Sequence, residues 1–183
     1  MPAPRDEYAI VLDFLPHGKP TDRKPEPVAQ VIGEKYFNLL EIVLKNGITL
    51  KPKDRIYIGP EKRDLVKYIR GRIRYNQLTS FAKTTLEEVL PELVKKNEKR
   101  LVELFNKAGP LTTRMHSLEL LPGIGKKHLW EILSQRKKKP FESFEDLKER
   151  IEMLPDPVKM ISKRIIMELK GEDRHRLLVG IPF

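Results

Sequence analysis

The chain has 183 residues, enough for one large domain or two small ones. Its apolar fraction of 39% supports a modest core, and no run approaches the roughly 18 apolar residues of a membrane span. The absence of cysteine excludes disulfides, thiolate metal sites and cysteine nucleophiles. Neither a basic segment nor an apolar stretch opens the chain, so no signal peptide is expected and the cytoplasm is the expected location. Abundant Lys and Glu with many prolines suit a thermophile.

The net charge of +10 is confined to two places. Residues 62–74, KRDLVKYIRGRIR, carry six basic residues against Asp64, and residues 126–139, KKHLWEILSQRKKK, carry six against Glu131. The rest of the chain is neutral. Clusters of this kind favour a polyanionic partner, because Lys and Arg gain affinity by releasing phosphate counterions.

Strands are expected first. YAIVLDFL at 8–15 is apolar and β-forming, and the polar PHGKPTDRKPEP that follows has four prolines and reads as a loop. Residues 28–45, VAQVIGEKYFNLLEIVLK, continue the β pattern, with Gly33 marking a bulge or bend. Asn46-Gly47 signals a turn before the β-type runs NGITL and DRIYIG. A short helix is expected near 61–70 and a last strand over GRIRYNQL, 71–78. Five or six strands in about 80 residues fit a small closed β-barrel such as an OB-fold, with Phe37, Tyr57 and Tyr68 in its core.

From residue 82 the chain reads as helical. TTLEEVLPELVKKN places an N-cap at Thr84 or Thr85 with a capping-box Glu, and Pro91 kinks or divides that helix. EKRLVELFNKAG has Leu101, Leu104 and Phe105 on one face and stops at Gly109-Pro110. Four further helices are expected at about 113–120, 126–137, 143–152 and 157–170, and the apolar tail 177–183 packs back. The fold class is α+β: an OB-like β-barrel over 1–81, then an all-helical domain over 82–183.

The segment LELLPGIGKKHLWEIL, Leu118 to Leu133, carries the sharpest signal. Gly123 and Gly125 permit backbone angles and close approach that a side chain forbids. The helix beginning near Lys126 offers unpaired N–H groups and a positive dipole end, which together make an anion site. Ile124 anchors the turn inward, and Lys126 and Lys127 add charge. LPGIGKK between two helices resembles the helix-hairpin-helix motif of nucleic-acid-binding proteins. In that family a monovalent cation is often held by hairpin carbonyls, here those near Leu121 and Ile124; no other cofactor is expected. Leu129 departs from the small residue usual in the second helix, and Trp130 from the usual polar one. Either the helices pack loosely or Trp130 docks on a neighbour. Residues 143–170 resemble a second, degenerate hairpin, with Asp156, Pro157 and Val158 where Gly123, Ile124 and Gly125 stand. Pro157 lacks an N–H and Asp156 would repel phosphate, so this copy is expected to be architectural.

The whole chain resembles an archaeal family of uncharacterised basic proteins that joins an OB-like part to a helix-hairpin-helix part. The resemblance implies nucleic-acid binding, with RNA ahead of DNA. The candidate contacts are Gly123, Ile124, Gly125, Lys126, Lys127, Arg136, Lys137, Lys138 and Lys139 from the second part. Lys62, Arg63, Lys67, Arg70, Arg72, Arg74 and Tyr75 are those from the barrel, which would share a basic face with the hairpin.

No enzyme is expected. His17, His116, His128 and His175 are scattered without metal-ligand spacing, and Asp13 with His17 defines no reaction class. No P-loop, nucleophile elbow or dinucleotide fingerprint occurs. The competing reading is a protein–protein module in which Trp130 and the tail are buried against a partner and the basic stretches only solubilise.

Overall fold

The computed structural model describes residues 4–182, so Phe183 of the apolar tail lies outside them. The protein is α+β, with a curled five-stranded antiparallel half barrel and five α-helices. It divides into two compact units: residues up to Leu90 with the returning segment from Leu169 to Pro182, and residues Pro91 to Glu168.

In the first unit β1 (Tyr8–Leu15), β2 (Val28–Gly33), β3 (Leu39–Leu44), β4 (Arg55–Tyr57) and β5 (Val66–Arg72) lie in the order β4-β1-β2-β3-β5. One face buries Ala9, Val11, Ala29, Val31, Ile42, Leu44, Ile56 and Val66 as a continuous apolar core. Among the described residues β4 and β5 form the two edges and do not pair with each other, so the sheet is a half barrel rather than the closed one expected.

The register explains the polar row on the other face. Val11 pairs with Val31 and Asp13 with Gln30, which leaves Leu12 as an extra residue in β1. Without that bulge Asp13 would share the face of Val11 and enter the core; with it, Asp13 joins the face of Gln30 and Glu41. There Asp13 accepts the Thr79 hydroxyl at 2.6 Å, and Gln30 accepts the Thr79 N–H at 2.9 Å. Thr79 in turn caps the helix that follows, its hydroxyl accepting the Ala82 N–H at 3.0 Å.

That helix, α1 (Ser80–Lys96), therefore starts a turn before the expected cap. Thr84 and Thr85 lie inside it, their hydroxyls bonded back to the carbonyls of Ser80 and Phe81. Pro91 sits within α1, at the boundary of the two units.

Of the stretch read as a helix near 61–70, residues 61–65 are irregular and 66–70 belong to β5, which runs on to Arg72; among the described residues no further strand follows, and Tyr75–Gln77 form a 3-10 turn. Leu65, Val66 and Ile69 imitate helical spacing, but only Val66 of the strand is buried, as a charged edge strand allows. NGITL is likewise no strand: it turns at Asn46-Gly47 and continues irregularly. Of the three aromatics expected in the core, Phe37 is fully buried and Tyr57 half-buried, whereas Tyr68 is exposed, its hydroxyl on Glu26. Leu177, Leu178 and Val179 of the tail are buried without forming a strand.

The second unit holds the end of α1, α2 (Glu98–Lys107), a 3-10 turn at Ser117–Leu120, α3 (Lys126–Lys138), α4 (Phe144–Arg150) and most of α5 (Pro157–Leu169). Leu101, Phe105, Leu118, Leu121, Leu147, Ile161 and Ile165 are buried at its centre. Among them lies an ion pair within α5: Arg164 Nε donates to Glu168 at 2.8 Å, and the guanidinium also donates to the Leu120 carbonyl at 3.2 Å. Arg164 is 1% exposed, so the pair is worth little net but is costly to break. Arg164→Met should lower stability by about 3–5 kcal/mol in urea unfolding, whereas adding Glu168→Leu should restore most of it. A double variant as unstable as the single would instead assign the cost to the Leu120 contact.

Candidate functional site

Leu121, Pro122, Gly123 and Ile124 form a tight turn closed by the Ile124 N–H on the Leu121 carbonyl at 3.1 Å. Proline at the second position and a glycine of φ +96° at the third are the pattern of a type II turn. A Cβ on Gly123 would stand 2.9 Å from Pro155 Cγ, so backbone angle and space both demand glycine there. Gly125 is different. Its backbone is extended, with φ −97° and ψ −169°, and a Cβ there would meet nothing within 4 Å. The fold has no need of glycine at 125.

Ile124 is buried beneath the turn, and Gly125 is the N-cap of α3. The Leu129 N–H bonds the Gly125 carbonyl, while the N–H groups of Gly125, Lys126, Lys127 and His128 have no acceptor among the described residues. No side chain caps this end and its first turn holds no acid. The α5 end beside it is closed: the Lys159 N–H reaches the Asp156 carboxylate at 3.4 Å, and Pro157 brings no N–H.

Side-chain contacts hold the lead-in. Glu119 accepts the His116 N–H at 2.8 Å and pairs with Lys126 at 2.9 Å, contacts that hold its carboxyl below the ordinary range. Lys126 Nζ also donates to the Arg114 carbonyl, which leaves Lys127 as the cation without an ion pair at this end. His128 is half-buried between two carbonyls. Its Nδ1 lies 3.2 Å from Gly123 O and its Nε2 3.2 Å from Glu152 O, tying the turn to the segment before α5.

Toward the far end of α3, Arg136 donates to the carbonyls of Phe105 and Ala108, and burial pushes its guanidinium below its ordinary value. It closes the end of α2 rather than facing solvent. Lys137 and Lys138 are exposed without ion pairs among the described residues, and Lys139 lies 3.4 Å from Glu142. Trp130 does not dock on a neighbour: it is 67% exposed, while Leu129 is buried.

The basic stretch of the first unit is partly occupied. Lys67 pairs with Glu26 at 2.8 Å, and Arg70 with Asp22 at 3.1 Å and Glu41 at 3.3 Å. Both are the extra residues of bulges against β3, which turn them toward those carboxylates. Arg63 donates to the Gly59 carbonyl, and Tyr75 carries Lys83 and Lys170 each 5.2 Å from its ring centre. Lys62, Arg72 and Arg74 are exposed and make no ion pair among the described residues.

Among the described residues no group of three or more His, Asp or Glu could hold a metal ion, and no helix is long and apolar enough to cross a membrane.

An α+β chain with this turn at its centre has well-matched relatives. Residues 5–179 match the model of DUF655, described as a protein of unknown function, and the chain belongs to that family. It is 46% identical over 176 residues to the uncharacterized protein MJ0038 of Methanocaldococcus jannaschii, covering 95% of this chain and 80% of that protein. The crystal structure of Af1531 from Archaeoglobus fulgidus, of the same family, is similar at a TM-score of 0.83 and 47% identity, covering 94% of this chain and 99% of that one.

His116 gives this region a pH signature. Its Nδ1 accepts the Leu118 N–H at 3.1 Å, and burial, then the nearby Arg136 charge, hold its pKa below the ordinary 6.5. The folded state therefore binds the proton less readily than the unfolded chain, so this contribution is complete above pH 6.5 and is lost as pH falls below it. Thermal midpoints should decline between neutral pH and the onset of carboxylate titration. His116→Asn, which keeps an acceptor for Leu118, should flatten that slope.

Proposed function

We propose that this protein binds nucleic acid without catalysis, seating a backbone phosphate on the amides of Gly125, Lys126, Lys127 and His128. The observation that carries the reading is the contrast between two adjacent helix starts. At α5 the chain supplies its own carboxylate, Asp156; at α3 it supplies a glycine that the fold does not require, no acid in the first turn, and Lys127 free of ion pairs beside Lys126, which pairs with Glu119. A positive dipole end with exposed N–H groups and added cations favours an anion. A phosphate held this way is gripped whatever the base sequence.

In this reading Leu118–Leu133 is a helix-hairpin-helix whose first helix, expected over 113–120, is only the 3-10 turn Ser117–Leu120, and 143–170 is its degenerate partner. The half barrel is an open, OB-like sheet whose exposed Lys62, Arg72 and Arg74 add a second basic contact. RNA is placed ahead of DNA on the family resemblance alone. The Leu121 carbonyl already accepts one N–H, which leaves it one lone pair toward a monovalent cation. Of the residues that the partner-interface reading places against a partner, Trp130 is exposed, whereas Leu177, Leu178 and Val179 are spent inside the first unit.

Gly125→Asp separates binding from folding. Aspartate is a good N-cap and its Cβ enters open space, so the variant should fold with undiminished stability. Its carboxylate would occupy the anion site as Asp156 does at α5. In fluorescence anisotropy with a labelled single-stranded RNA, the wild type should bind with affinity that falls steeply with salt, and Gly125→Asp should bind at least about tenfold more weakly. Equal binding by a folded Gly125→Asp would refute the site.

A further inference from the structure

Trp130, the chain's one tryptophan, stands at the centre of the solvent face of α3 and is 67% exposed. Lys127, Trp130, Ser134 and Lys137 follow at spacings of three, four and three residues, which places them along one stripe of the helix, with Lys138 beside it. Lys127, Ser134, Lys137 and Lys138 are all exposed, and none of the three lysines makes an ion pair among the described residues. Nor does the indole meet a ring or a cation there. The opposite side of α3 is consumed by Leu129, Ile132 and Arg136, so the stripe is not a core face turned outward.

We infer that Trp130 is a stacking platform for an unpaired base of the nucleic acid whose phosphate sits on the α3 start. The inference rests on that phosphate reading and narrows it to strands with at least one unstacked base. Charge chooses the occupant: an indole flanked by unpaired cations, with no acid among its stripe neighbours, suits a polyanion that carries π-faces. Geometry agrees, because Trp130 lies five residues from Gly125, about 7 Å along the helix axis. That is within reach of a base attached to the held phosphate. In a continuous duplex the base faces are covered by their neighbours, so an indole on a convex helix can take only an unpaired one. Lys137 and Lys138 continue the stripe where the next backbone phosphates would run.

The single tryptophan is its own probe. Titrating the full chain with a short single-stranded RNA should quench Trp130 emission, and the blunt duplex of the same sequence should not. By anisotropy, Trp130→Ala should weaken single-strand binding about tenfold while changing duplex binding less than about twofold. Trp130→Phe should retain most of the affinity, and an exposed position should tolerate both changes in the fold. If the emission stays unchanged at saturation and Trp130→Ala binds single strands like the wild type, stacking is wrong. Salt-sensitive, Gly125-dependent binding would in that case keep the phosphate reading intact. No binding of any strand by the wild type overturns both. A blue shift with anionic phosphatidylserine vesicles, without response to RNA, would assign the stripe to a lipid surface and overturn the stacking proposal.

Discussion

The second unit depends on the contact between Gly123 and Pro155. A positive φ at Gly123 turns the chain sharply from the 3-10 segment into α3, and Pro155 fills the space where a side chain would be. One turn thereby lies against the other. The neighbouring contacts hold that arrangement from several sides. Arg164 grips the Leu120 carbonyl from α5, Glu119 fixes both the His116 amide and Lys126, and His128 spans from Gly123 to Glu152. Together they fix where the first amides of α3 emerge and keep them at the surface.

The starts of α3, α4 and α5 form an internal comparison. Lysines in a first turn oppose the helix dipole and cost a few tenths of a kcal/mol each near the surface, and a carboxylate would reverse the sign. The chain uses the favourable solution at α4, with Ser143 as cap and Glu145 and Asp146 behind it, and again at α5 with Asp156. At α3 it does not. The two basic stretches are each partly neutralised. In the first unit the bulged Lys67 and Arg70 are neutralised by carboxylates of the proline-rich loop and of Glu41, so much of that positive charge serves to hold the loop on the sheet. Along α3 Lys127, Lys137 and Lys138 keep their charge for solvent. In the first unit Lys62, Arg72 and Arg74 do the same, so each stretch keeps three exposed cations without an ion pair among the described residues.

What was legible in the sequence was local. Leu-Pro-Gly-Ile-Gly announced a turn and a helix start, Asn46-Gly47 a turn, and the apolar periodicity over 98–107 a helix, because each is set by neighbours within a few residues. The misread elements are those whose state is decided at a distance. β5 is a strand because β3 offers its edge, although Leu65, Val66 and Ile69 carry a helical spacing. The cap of α1 is Thr79 rather than Thr84 or Thr85, because a bulge in β1 delivers Asp13 to the Thr79 hydroxyl. Arg136 looks like a free cation in the sequence, yet two carbonyls at the end of α2 claim it. Nothing in its neighbours marks His128 as a strap, since Glu152 lies 24 residues away. Trp130 was noticed as a departure, but its exposure follows only from which face of α3 meets the core.

The most direct measurement is a two-dimensional amide NMR titration of the protein with a short single-stranded RNA at low salt. The account predicts that the backbone N–H signals of Gly125, Lys126, Lys127 and His128 shift furthest, in the direction of stronger hydrogen bonding, and return as salt is raised. Saturation with those four signals unmoved, and the shifts gathered elsewhere in the chain, would contradict it.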